Sequence, residues 1–277
     1  MMRAKRPKVG ENRQTPLRPG NRLLGLLPDD ERAGIAPYLE PFQLEAGATL
    51  LRPNVPVPHV YFIDEGLVSN VQLTENGEFI EISLIGVEGV VGAPVPFGAF
   101  AFSHETVVQI SGSCTRMKAE DLRREVLQRP GLRDVLSRYF LALFSQISQS
   151  VVCNSQHRVQ SRLARWLLMV SDCIGSEVLP LTHQTLSTML GVRRSSVTDA
   201  LAVLSAHGVI KTYNGGVGIV DRDALNAIAC ECYVIVRNEF HRLLGPGIFP
   251  SHRADCEHSN GREDQRKFTP TAQSQRQ

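Results

Sequence analysis

The stretch Leu181–Lys211, LTHQTLSTMLGVRRSSVTDALAVLSAHGVIK, decides how the C-terminal half folds. Thr182 stands where a hydroxyl caps a helix through Leu190, whose apolar positions are Leu186, Met189 and Leu190. Gly191 follows, a residue that accepts the left-handed backbone past a helix end. A second helix is predicted over Arg194–His207, with Val197, Leu201 and Leu204 inward. Helix, short glycine-containing turn, helix is the helix-turn-helix pattern, whose second helix enters the major groove amino end first. Gly208-Val209-Ile210 and Val217-Gly218-Ile219-Val220 then flank Asn214-Gly215-Gly216. That arrangement predicts a β-hairpin, the wing of a winged helix.

Side-chain chemistry assigns roles within this stretch. Arg193 or Arg194 is the leading base reader, because a guanidinium reaches guanine O6 and N7 through two parallel hydrogen bonds. Ser195, Ser196 and Thr198 are short donors suited to phosphate oxygens, and Thr182, His183 and Gln184 at the start of the first helix also reach phosphate. Asp199 repels phosphate, and its carboxylate suits a cytosine amino group or an Arg that it holds in place. Ordinary solvent exposure is the alternative for each residue taken singly.

Working toward the N terminus, Arg158–Ser171 reads as a helix with Val159, Leu163, Trp166, Leu167 and Val170 inward, and Asn154-Ser155-Gln156 before it reads as a hinge. Upstream, Leu132, Leu136, Phe140, Leu143, Ile147 and Val151 recur at steps of three and four, and Val135, Tyr139 and Phe144 widen the stripe. A helix with one wide apolar face is predicted, packed either on its own domain or along a coiled-coil-like seam with a second copy through residues 131–153. A shorter helix opens at Lys118-Ala119-Glu120-Asp121-Leu122, and Pro130 ends or restarts it.

Residues 42–117 read instead as short strands with turn punctuation. Leu50 and Leu51 follow Gly47, and Val60–Ile63 is closed by Glu65-Gly66. LVSNVQL and FIEISLI flank a turn containing Asn76-Gly77, and Ile80, Ile82 and Leu84 alternate with Glu81 and Ser83. Thr106–Ile110 and Ser113–Met117 suggest a further strand pair around Gly112. Together these predict a jelly-roll β-barrel. A metal-dependent barrel enzyme finds little support, because His59 and His104 are isolated and no clustered ligand set accompanies them.

With 42% hydrophobic and 21% charged residues, the 277-residue chain has the composition of two ordinary folded domains plus tails. It has no apolar run of membrane-spanning length and no secretory h-region, so a cytoplasmic protein without a membrane partner is expected. The net charge of +2 conceals a basic arm (+6 over residues 1–22), an acidic segment (−7 over 23–156) and a mildly basic one (+2 over 157–245). That segregation suits a second half that meets a polyanion. Six scattered cysteines do not form a disulfide framework. Cys230-x-Cys232 is read as structural, two positions on different faces of one helix, and no metal or cofactor site is assigned.

The expected α+β layout is a disordered basic arm (1–21), a sensor barrel (22–129), a dimerisation helix and hinge (130–156), a winged helix-turn-helix domain (157–235) and a disordered tail (246–277). Over about residues 22–235 the arrangement resembles the Crp/Fnr family of bacterial transcription regulators. GLVSNVQLTENGEFIEISLI, the helix 131–153 and LTHQTLSTMLGVRRSSVTDALAVLSAHGVIK carry the resemblance. It implies a non-enzymatic homodimer that binds double-stranded DNA at a palindromic promoter site, responds to a small-molecule effector of unknown identity or to none, and contacts RNA polymerase if it activates. By position, Arg194, Ser195 and Asp199 fall where the family's activator reads bases. Arg194 matches, whereas Ser195 replaces a usual Glu and Asp199 a usual Arg, so the half-site should differ from the familiar one.

The sensor departs further. Cyclic-nucleotide binders of the family carry Phe-Gly-Glu and, about ten residues on, Arg-Ser, which hold the ribose and the cyclic phosphate. Here the corresponding stretch, Gly89–Thr106, lacks the Glu–Arg combination, and no Arg or Lys occurs between Arg52 and Arg116. A cyclic phosphate would lose its charge-assisted contacts, so tight cyclic AMP binding is not expected. The family's N-terminal iron–sulfur cysteine cluster is also unmatched, because no Cys precedes Cys114. The competing reading is a ligand-binding or protein-interaction module whose winged helix does not read DNA sequence.

Overall fold

The computed structural model describes residues 20–249 except Asn76 and Glu78. The basic arm up to residue 19, the tail from residue 250 and the Asn76 half of the expected turn lie outside the described residues. The chain opens with α1 (Arg22–Gly25) and α2 (Asp29–Ile35), followed by strands β1 (Glu40–Leu44), β2 (Thr49–Leu51), β3 (His59–Leu73), β4 (Phe79–Ile85), β5 (Val90–Val91) and β6 (Glu105–Lys118). These form one six-stranded antiparallel sheet built around two long strands, β3 and β6.

Both long strands correct the sequence reading. Val60–Ile63 and Leu67–Leu73 are one strand rather than two, and the strand pair predicted around Gly112 is a single 14-residue strand. The chain bends there without leaving the sheet. Gly66 has φ +96°, and a Cβ at Gly112 would lie 2.1 Å from the Glu65 carbonyl oxygen. Two glycines thus let the strands cross closely while the register slips through bulges at Ile63–Val68. On one side of the bend β3 and β6 pair with β5 and β1, and on the other with β4 and β2. The two halves make the layers of the expected barrel around Val60, Phe62, Val68, Leu84 and Val108.

Asn21 was assigned to the disordered arm, yet it is buried. It caps α1, accepting from the Leu24 amide, and its side-chain amide donates to the carbonyls of Ile63 (2.9 Å) and Gly89 (2.8 Å). These bonds tie the start of the chain to β3 and to the loop before β5, which a solvated arm cannot do.

Helices α3 (Ala119–Gln128), α4 (Pro130–Gln156) and α5 (Val159–Ile174) follow. Asn154–Gln156 is helical, so the break falls just past the predicted segment, at His157 with extended φ −107°, ψ 146°. The wide stripe of α4 also divides in two. Leu132, Val135, Leu136, Tyr139 and Leu143 are buried within the chain, whereas Leu141, Phe144, Val151 and Val152 remain exposed. Phe140 and Ile147 lie along the boundary. In α5 every residue from Arg162 to Cys173 is buried, because the barrel covers one side of this helix and the C-terminal domain the other.

That domain comprises β7 (Val178–Leu179), α6 (His183–Leu190), α7 (Arg194–Ala206), β8 (Ile210–Tyr213), β9 (Gly216–Ile219), α8 (Arg222–Ile228) and α9 (Cys232–Leu244), with a three-stranded sheet ordered β7-β9-β8. Its core joins Trp166, Leu167, Leu186, Val197, Leu201 and Leu204. Each such side chain contributes about 1.5–3 kcal/mol when fully buried. Arg222, Asp172 and Tyr233 form a polar knot beneath it. The guanidinium donates to Asp172 and to the Tyr233 oxygen (2.8 Å), and the Tyr233 hydroxyl donates to Asp172 (2.8 Å).

The chain then returns to its first half. Helix α9 packs along α4, where Arg138 donates to the Leu243 carbonyl (3.0 Å) and Tyr139 meets Phe240 edge-on. Residues Ile248 and Phe249, assigned by sequence to a disordered tail, are buried, and Arg22 donates to the Phe249 carbonyl (2.9 Å). Two apolar residues beside an aromatic cluster hold this segment in place, although Pro and Gly surround it in the sequence.

Candidate nucleic-acid interface

Helices α6 and α7 form the predicted helix-turn-helix. The Thr182 hydroxyl accepts from the Thr185 amide (3.1 Å), which caps α6 and satisfies one of its free N–H groups. Gly191 ends the helix at φ +60°, in the left-handed region that a side chain would strain. Ser187 donates to the Val192 carbonyl (2.7 Å) and pins the turn. Arg193 is the N-cap of α7 and Arg194 its first residue, so both project from the amino end of the second helix.

Exposure follows the predicted pattern. Arg193, Arg194, Ser195, Thr198 and Asp199 are exposed on α7, Ser196 is partly buried, and Val197, Ala200 and Leu201 face the core. Thr182 and Gln184 are exposed at the start of α6, with His183 half-buried between them. His183 Nδ1 lies 3.2 Å from the Thr198 hydroxyl, a contact that joins the two helix starts into one continuous face. Thr198 also donates to the Arg194 carbonyl (3.1 Å), so in this rotamer its single proton orders α7 and is not free for phosphate. Strands β8 and β9 pair from Ile210 with Ile219 to Tyr213 with Gly216 and place the wing beside this face.

The barrel reaches the same region. Gly77 and Phe79 of the β3–β4 hairpin line a groove of about 500 Å³ together with Gln184, Thr188 and Arg193. Close by, Trp166 Nε1 donates to Glu81 (2.7 Å), and Ser69 donates to the other oxygen of that carboxylate (2.8 Å). Glu81 lies on the polar side of the Ile80–Leu84 alternation, and α5 covers that face of the strand. Burial pushes its carboxyl up to about 7, against the opposing pull of Trp166, Ser69 and the Arg165 charge.

The cysteine reading is also corrected. Cys230 lies in the turn before α9 rather than on a shared helix with Cys232. It faces Cys153, 77 positions away, and Cys232 faces His157. Periodicity carries no signal for such a pairing.

A bulged antiparallel barrel joined through a long helix to a winged helix-turn-helix with a basic amino end defines a two-domain transcription regulator. The chain matches the family models described as the cyclic nucleotide-binding domain, over residues 41–129, and the Crp-like helix-turn-helix domain, over residues 161–228. It belongs to the Crp/Fnr family of transcription regulators. It is 25% identical to the transcriptional regulator SdrP of Thermus thermophilus over 198 residues, covering 69% of this chain and 94% of the relative. The fold is similar to that of FixK2 from Bradyrhizobium japonicum (TM-score 0.62, 15% identity, 69% of this chain and 98% of that one). It is also similar to TTHB099, a CRP-family regulator from Thermus thermophilus (TM-score 0.57, 19% identity, 68% and 96%). Among the described residues no helix is long and apolar enough to cross a membrane.

Proposed function

We propose that the protein is a homodimeric, sequence-specific DNA-binding regulator, without enzymatic activity, that acts in the cytoplasm on a palindromic promoter site. The observation that carries this reading is the exposed amino end of α7, where Arg193, Arg194 and Ser195 project beside the start of α6 and the wing. Arg194 is the principal base reader, Thr182 and Gln184 contact phosphate, and Asp199 alters the half-site by rejecting phosphate and favouring a cytosine amino group. Dimerisation through helix 131–153 is supported by the apolar side chains left on α4, where Phe140, Phe144, Ile147 and Val151 recur at coiled-coil spacing. RNA polymerase is the expected further partner if the output is activation.

The barrel reads a signal other than cyclic AMP. No Arg or Lys lies between Arg52 and Arg116, and Arg123, which approaches this segment from α3, stacks over Phe100 and donates to the Ala99 carbonyl (3.1 Å). The β3–β4 hairpin borders Gln184 and Arg193, so duplex binding at those residues requires the hairpin and the reader to separate. A signal in the barrel would shift the population toward that separated arrangement.

Selection from a randomised duplex pool tests the reading. A two-fold symmetric motif with half-sites about one helical turn apart is expected. Arg194→Ala should weaken specific binding by about 1–3 kcal/mol and relax one base position. No enrichment either with purified protein or in the presence of cell extract, or an unchanged site preference in Arg194→Ala, would refute it and favour a protein-interaction module.

A further inference from the structure

Cys153, His157, Cys230 and Cys232 come together at the break between α4 and α5. Their four candidate ligand atoms all lie within 4.8 Å of one another, and the three cysteines are buried. Cys153 Sγ is 3.5 Å from Cys230 Sγ, and Cys232 Sγ is 3.5 Å from His157 Nδ1. A tetrahedral zinc ion with sulfur at about 2.3 Å and nitrogen at about 2.0–2.1 Å separates its ligands by about 3.8 Å (sulfur–sulfur) and about 3.6 Å (sulfur–nitrogen). Side-chain rotations of about an ångström would therefore close four ligands on one ion. A multi-iron cluster needs its four ligands spread more widely than a single ion does, and this quartet is too compact for one.

A second observation points to the same chemistry. His157 presents Nδ1 to the thiols, and its Nε2 lies 3.2 Å from the Glu231 carboxylate. A carboxylate on the outer nitrogen fixes the tautomer that leaves the inner nitrogen free to ligate, the usual support for a metal-bound histidine. Gln149 Nε2 donates to Cys232 Sγ (3.2 Å), and the guanidiniums of Arg162 and Arg165 lie close enough to act on Cys153. Three thiolates on a divalent ion leave one net negative charge, which those cations offset.

We propose that these four residues bind one thiophilic divalent cation, zinc by preference, which staples the end of the long helix to the turn before α9. Two ligands come from the α4 end and two from the winged-helix domain, so the ion would fix the angle between the reading head and the rest of the chain. The effect on DNA rests on the function proposed above, whereas metal binding does not.

The test is titration of the reduced full-length protein with cobalt(II) under anaerobic conditions, paired with elemental analysis after loading with zinc. One zinc per chain is expected, with the strong visible bands of tetrahedral cobalt and thiolate-to-cobalt charge transfer in the ultraviolet. Cys230→Ser and Cys232→Ser should weaken or erase these bands. Glu231→Gln is the gentler probe, because Glu231 is exposed and its replacement leaves the three buried cysteines in place. It should keep the tetrahedral spectrum while lowering affinity by about 10- to 100-fold. Weak six-coordinate cobalt bands, bands indifferent to the cysteine substitutions, iron with acid-labile sulfide, or a Cys153–Cys230 disulfide formed despite reductant and zinc would each overturn the proposal. If the cobalt result stands while no DNA motif is selected, the functional reading fails and the metal site survives.

Discussion

Glu81→Gln should stabilise the protein at alkaline pH and have little effect in acid. Glu81 sits between the sensor and α5, accepting from Trp166 on one oxygen and from Ser69 on the other. Its carboxyl is raised from 4.5 to about 7 by burial. A carboxylate whose folded value exceeds its unfolded one binds more protons folded than unfolded, so stability is full below pH ~4.5 and falls as pH rises to ~7. A shift of that size corresponds to about 3 kcal/mol at most. The side chain keeps part of its surface accessible, which brings the expected loss to about 1–2 kcal/mol. Glutamine preserves both contacts, since its oxygen accepts from the indole and its NH2 donates to the rotatable Ser69 hydroxyl. Thermal unfolding of wild type and Glu81→Gln at pH 4.5, 6 and 8 should therefore show a gap that opens with pH in favour of the variant. A constant gap, or a variant less stable at pH 8, would mean that Glu81 is ionised and paired with Arg165, and would refute the burial argument.

Other outcomes follow from the same structure. Asp172→Ala leaves the Arg222 guanidinium buried without its counter-charge and should cost about 3–5 kcal/mol in thermal or denaturant unfolding, whereas Tyr233→Phe should cost about 1 kcal/mol. Phe144→Asp places a charge on the exposed seam of α4 but touches none of its buried positions. It should weaken self-association by about tenfold or more in sedimentation velocity while leaving the far-ultraviolet spectrum of the monomer intact.

The helix-turn-helix was legible because its signals are local. Thr182 as cap, Gly191 as turn and Val197, Leu201 and Leu204 as core stripe each act within a few residues, and each stands where sequence placed it. The long strands were cut short because Gly66 and Gly112 read as turn signals. In the fold they serve instead as bend points where two strands cross. The burial of Glu81 was not legible for a different reason. Alternation predicts the two faces of a strand, and it cannot say that the polar face will meet a helix 85 positions away. The Cys153–Cys230 approach and the burial of Ile248 and Phe249 likewise depend on the return of α9 along α4, which leaves no periodic trace in the sequence.

That return has a mechanical consequence. The reading head is attached to the long helix by two struts in parallel, the covalent joint at His157 and the packed length of α9, rather than by one strut in series. A single joint would let the head swing through a continuum of angles. With two, any rotation at His157 must slide α9 along its track, where Tyr139 meets Phe240 and Arg138 grips the Leu243 carbonyl. Side chains that interlock move by steps, so the linkage should behave as a ratchet with few stops, and a weak input at the barrel would select a stop rather than set an angle.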